Sequence, residues 1–72
     1  MTEEEIKKAM EEFGSLLRER RQTKGWSQRK LGEKAEIRYP SIVFLERGGN
    51  ASLENIVRIV DGLGCKLSVK WK

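Results

Sequence analysis

Between Ser27 and Gly48 two short apolar stripes at helical spacing are separated by only a few residues. A chain with that pattern is confined to a pair of short helices about a sharp turn. Ser27 can cap the first of them through its hydroxyl, which accepts from an otherwise orphaned backbone N–H. Trp26, just before the cap, can pack on Leu31 as a hydrophobic staple. Leu31 and Ala35 share one helical face at i and i+4. Glu36-Ile37 breaks the pattern. Pro40 permits a fresh helical start, because a first-turn N–H has no intrahelical partner anyway. In the second helix Ile42 and Leu45 point inward at i and i+3, until Gly48-Gly49 stops it. Gly32 and Ala35 are small enough to let the two helices approach closely.

This is a helix-turn-helix pattern, and the residues around it extend the likeness. Phe13-Gly14, Arg21, Gly25-Trp26-Ser27-Gln28, Leu31, Ala35, Ile37, Ile42, Leu45-Glu46-Arg47-Gly48, Ser52-Leu53 and Leu63-Gly64 resemble the signature of lambda-repressor/Cro-like (Xre-like) helix-turn-helix proteins. The likeness covers roughly residues 13–64. It implies a mainly α, four- to five-helix lambda-repressor-like DNA-binding domain. The family usually has Ala where Gly32 sits and Gly where Glu36 sits. Gly32 costs about 1 kcal/mol of helix propensity, and Glu36 must either tolerate a left-handed turn or shift its geometry. In the family Arg21 and Glu46 pair, tying the first helix to the end of the recognition helix.

Composition agrees with a small, DNA-associated domain. Seventy-two residues make one domain, and one of this size buries only about 60% of its unfolded surface, so association with a second copy is a common remedy. Residues 1–12 hold five acids and two bases, a net of −3, which leaves thirteen bases and six acids, a net of +7, in the rest. A basic body with an acidic prefix suits a polyanionic partner. The single Cys65 forms no intrachain disulfide, no apolar run reaches the length of a membrane span, and the acidic N-terminus is unlike a signal peptide. The expected location is cytoplasmic.

Outside the paired helices, Thr2 followed by Glu5 forms a capping box, and Glu3 and Glu4 favour the positive end of a helix. Ile6, Ala9, Met10, Phe13, Leu16 and Leu17 continue at helical spacing as far as Gly25. This is either one long helix or one that bends at Gly14-Ser15, with residues 1–12 an acidic extension of the 13–64 core. Ser52 caps a further helix, expected to turn Leu53, Ile56, Val57, Val60 and Leu63 inward, and Gly64 ends it. Cys65, Leu67, Val69 and Trp71 then alternate with Lys66, Ser68, Lys70 and Lys72, a period of two that marks a half-buried strand over 65–72. A lone strand leaves its backbone groups unpaired. The expectation is therefore a C-terminal β-strand pairing across a dimer, with Cys65, Leu67, Val69 and Trp71 in the interface.

Gln28 opens the first helix of the pair, where free N–H groups and the helix dipole favour an anion. By resemblance Gln28 clamps DNA backbone, with Arg29, Lys30, Arg38 and Arg47 as further phosphate contacts. On the recognition helix Tyr39, Pro40, Val43 and Phe44 face outward. Base-reading helices commonly present Arg, Asn or Gln, so this apolar face has two readings. It contacts thymine methyls, with Arg38, Tyr39 and Ser41 adding polar contacts, or it packs against protein. Proline recurs at the Pro40 position in HigA-like antitoxins.

Enzymatic chemistry is not expected. The chain has no His for general acid–base work. Cys65 lacks a histidine partner, and its position on the buried face of the strand suits packing. Gly48-Gly49-Asn50 lacks the following Lys of a phosphate loop, and one Cys without His makes no zinc site. No cofactor or metal is expected.

The stretch from Ser52-Leu53-Glu54 to Leu63-Gly64-Cys65-Lys66-Leu67 resembles the HigA/HipB-like antitoxin branch. There the C-terminal strands pair across a dimer, and members repress their own operon and bind a toxin. Two functions of different class follow. One is a dimeric, sequence-specific repressor of a palindromic double-stranded DNA operator, with a cognate toxin as second partner in the antitoxin version. The other is a protein-interaction module on the same scaffold without specific DNA readout.

Overall fold

The computed structural model describes residues 1–70, which form four helices: α1 (Glu3–Thr23), α2 (Gln28–Ala35), α3 (Tyr39–Glu46) and α4 (Leu53–Gly62). Each start that was legible as a cap is one. The Thr2 hydroxyl accepts from the Glu5 amide at 3.1 Å while the Thr2 amide donates to Glu5 Oε1 at 2.9 Å. Ser27 and Ser52 accept from the amides of Lys30 and Asn55. Pro40 lies in the first turn of α3, where its missing N–H costs nothing.

All four helices end in one hydrogen-bond pattern, in which the last turn closes through a left-handed residue. Gly25 and Trp26 donate to Gln22 and Arg21, Gly48 and Gly49 to Leu45 and Phe44, and Gly64 and Cys65 to Asp61 and Val60. At the end of α2 Glu36 and Ile37 donate to Glu33 and Gly32 in the same way. There the left-handed residue is Glu36, at φ 59° and ψ 42°. Glu36 therefore tolerates the turn rather than reshaping it.

The long-helix alternative is the one that forms: α1 is continuous through Gly14-Ser15. Gly14 marks a crossing rather than a break. A Cβ there would press on the carbonyl oxygen of Leu45 and stand 2.8 Å from that of Glu46, so α1 rests directly on the end of α3. Gly32 has a similar cause. Its missing Cβ would lie 2.9 Å from the Ile37 carbonyl oxygen, which is how the turn folds back on α2.

The core is Leu17 from α1, Leu31 and Ala35 from α2, Ile42 and Leu45 from α3, and Ile59, Val60 and Leu63 from α4 and its cap. Phe13, Trp26, Ile37, Ala51 and Ile56 pack around it. In α4 the buried stripe is Ile56, Ile59, Val60 and Leu63, spaced i, i+3, i+4 and i+7. Two residues expected inward lie elsewhere. Leu53 in the first turn is 68% exposed and Val57, off the stripe by one position, is 47% exposed. The sequence pattern also overlooked Ile59, which is fully buried.

The C-terminal expectation needs correction for the single chain. Residues 65–70 have no regular secondary structure, and the described residues contain no strand. The physical reason is that a strand requires a ladder partner, and none lies beside these residues among the described ones. Cys65 is exposed rather than buried, Leu67 is partly open and Val69 is 78% exposed. Trp71 lies outside the described residues.

Candidate nucleic-acid interface

The site is held from beneath by one buried ion pair. Arg21 Nε donates to Glu46 Oε2 at 2.7 Å and Nη2 to Oε1 at 3.0 Å, a two-point grip joining α1 to the last turn of α3. Arg21 Nη1 donates to the Trp26 carbonyl at 2.7 Å, fixing the loop that precedes α2. The carboxylate raises the guanidinium pKa above its already high ordinary value against the opposing effect of burial, so Arg21 stays charged. Breaking the pair by removing Arg21 strands a buried carboxylate, because the Glu46 side chain is only 3% exposed.

Glu46 has a third partner. Gln28 Nε2 donates to Glu46 Oε1 at 3.1 Å. The amide that opens α2 is therefore tethered to the same carboxylate that anchors α1, and it is half-buried rather than loose in solvent. The tether leaves its second N–H and the unpaired backbone N–H groups of the α2 start to meet an anion.

Arg29 and Tyr39 form a second unit. The guanidinium carbon sits 4.0 Å from the ring centroid and Nη2 donates to the tyrosine hydroxyl at 3.0 Å. This cation–π pair bridges the first turns of α2 and α3 and restricts two long side chains at once. Lys30 is exposed and 3.9 Å from Glu33, a loose surface pair of little energetic weight. Arg38 is the exposed N-cap of α3 and Arg47 its exposed C-cap, so the two flank the helix.

Along α3, Ile42, Leu45 and Glu46 are buried; Tyr39, Ser41 and Val43 are half-buried; Pro40 and Phe44 are exposed. Phe44 is 57% exposed, yet its ring is not free to wander. It lies on Gly49, where a Cβ would stand 2.5 Å from Phe44 Cδ2 and Cε2. The expected DNA-contacting residues thus fall on one contiguous α2–α3 unit: Gln28, Arg29 and Lys30 at the start of α2, the others along α3 and its caps. Cys65, Leu67 and Val69, expected in a dimer interface, lie on the segment after α4.

Sequence reasoning found the Arg21–Glu46 pair only through resemblance. It missed the Gln28–Glu46 bond, the Arg29–Tyr39 stack and the Phe44–Gly49 contact. In each case the partners belong to different elements or to a helix and its following loop, so no periodicity could have announced them. The nearest signal was the glycine doublet after α3. It read as a helix stop, and its second member also seats a phenyl ring.

No helix among the described residues is long and apolar enough to cross a membrane. No curated protein matches the chain. A family model described as helix-turn-helix matches residues 17–70, a span running from the middle of α1 to the last described residue. With that match over most of its length, the chain belongs to the lambda-repressor-like (Xre-like) helix-turn-helix family of DNA-binding transcription regulators.

Proposed function

We propose that this protein is a dimeric, sequence-specific repressor that lays α3 in the major groove of a palindromic operator. The observation that carries this reading is the tethered start of α2. Gln28 is pinned by Glu46, free helix N–H groups lie beside it, Arg29 and Lys30 follow in the same turn, and the exposed Arg38 and Arg47 cap the two ends of α3. Such an array suits two phosphate backbones on either side of a groove. Residues 1–12 serve as an acidic extension, 13–64 as the DNA-binding core and 65–72 as the pairing segment. The protein acts in the cytoplasm and by binding alone, without catalysis.

Binding to the protein's own promoter DNA, compared with scrambled DNA across a salt series, tests the proposal. Affinity for the promoter should fall with salt, with a log–log slope of about −0.9 per phosphate contacted. Arg38→Ala should weaken binding to every duplex, whereas Val43 or Tyr39 substitutions should change the preference among duplexes. Equal affinity for promoter and scrambled DNA at moderate salt would sink the sequence-specific reading.

A second reading has its own observation. Phe44, Leu53, Val57 and Val69 are large apolar groups in solvent, and apolar patches on small domains often meet protein. In the antitoxin version a toxin covers part of that surface while α3 still reads the operator. Co-purification of a stoichiometric small protein encoded beside this chain would favour it.

A further inference from the structure

The outward stripe of α3 offers almost nothing to hydrogen-bond with. Pro40 and Phe44, one helical turn apart, are its exposed members, and Val43 is half-buried beside them. Polar neighbours are few: the Tyr39 hydroxyl accepts from Arg29 and keeps its own O–H to donate, Ser41 is half-buried like Val43, and the exposed Arg38 stands at the N-cap. In a major groove, guanine, adenine and cytosine edges are distinguished by donors and acceptors, and thymine alone adds a methyl group. An apolar side chain over a purine edge or a cytosine amine strips water from polar atoms and returns no hydrogen bond. Over a thymine methyl it buries carbon against carbon.

Resting on the DNA-binding reading above, we propose that Phe44, with Pro40 and Val43, reads the 5-methyl groups of thymines. The operator is then defined chiefly by where thymine faces α3. Gly49 is the positioning residue, because its bare backbone seats the phenyl ring and fixes where the ring can reach. The surrounding Arg29, Lys30, Arg38 and Arg47 supply the charge that holds a duplex against this uncharged stripe.

The intact protein is first used to select its preferred duplex from a randomised pool. Each thymine in that duplex is then replaced singly by deoxyuridine, which deletes the methyl and leaves base pairing unchanged. At one or more positions facing α3, removal should weaken binding about 4-fold, the effect of one buried methyl. In F44A that thymine-to-uracil ratio should collapse towards one. Because Phe44 is largely exposed, the variant should keep the wild-type helical circular dichroism. G49A, whose new Cβ displaces the Phe44 ring, should lower the same ratio while leaving the sequence of α3 unchanged.

If the selected duplex binds with the same affinity in its thymine and uracil forms, methyl reading is wrong although DNA binding stands. A selected duplex whose constant positions hold no thymine overturns methyl reading equally. If no duplex is preferred over the pool, both the methyl proposal and the operator reading fall.

Discussion

Glu36 sits in the left-handed region, where a side chain costs about 1 kcal/mol and glycine costs little. Glu36→Gly should therefore stabilise the domain by about 0.5–1 kcal/mol in urea unfolding, with no change in the slope. Gly14 is the opposite case. Gly14→Ala drives a methyl into the Leu45 and Glu46 carbonyls, neither of which can rotate away, and should destabilise by about 1–3 kcal/mol. Arg21→Ala should cost about 3–5 kcal/mol, because it leaves a buried carboxylate with only Gln28 for a partner. For a domain of this size that is a large share of the total stability. Legibility at this scale was uneven. The family likeness marked Glu36 as an oddity, because Gly is usual there, and left open whether its turn stays left-handed; the backbone does. At Gly14-Ser15 the sequence left a bend and a continuous helix equally open. The contact that explains Gly14 comes from residues in α3, far along the chain and invisible to any local reading.

At the scale of elements, caps were the clearest text, since Thr2, Ser27 and Ser52 all cap through bonds three residues long. Amphipathic register was less clear. Six apolar residues in α4 and its cap compete for a face that holds four, and only packing against α2 decides that Ile59 goes in while Leu53 and Val57 stay out. The first half of α1 also proved more than a prefix. Ile6, Met10 and Phe13 line a groove of about 330 Å³ with Leu45 and Ile56, and Glu11 lies against Gly48. Deleting residues 2–12 should therefore cost stability. Neutralising Glu3 and Glu4 to glutamine isolates the charge effect, and should raise DNA affinity at low salt with the gain vanishing as salt screens it. Acidification tests the start of α1. The Thr2 amide and hydroxyl hold the Glu5 carboxyl below its usual range. Its contribution is thus complete above the ordinary carboxylate pKa and is lost as pH falls through the lowered value. Amide exchange over residues 3–6 should accelerate over that interval relative to the core of α1.

For the whole molecule, two of the residues that sequence patterning turned inward and the structure leaves open lie together, while Leu53 stands apart in the first turn of α4. Val57 and Leu67 line one groove with Val60 and Cys65, edged by the charged Asp61 and Lys66, so apolar groups from the open flank of α4 and the segment after it meet there. Alternation over 65–72 reported that this surface wants cover. Reading the alternation as a lone strand placed its partner in a second copy, whereas the periodicity itself says which face is apolar and nothing about what meets it. The proposed dimer would supply an occupant: two antiparallel copies of this segment would satisfy each other's backbone groups and bury Leu67 and Val69. A two-fold arrangement also allows the two α3 helices to meet successive major grooves, about 34 Å apart. Truncation after Gly64 should then give a folded monomer with weakened operator binding. Val57→Asp, which places a charge in the same groove while keeping the segment, should do likewise. Sedimentation equilibrium of the intact protein at high micromolar concentration checks the idea directly. A monomer there would eliminate the dimer, and strand addition to the sheet edge of a toxin would become the better account of the same unpaired segment.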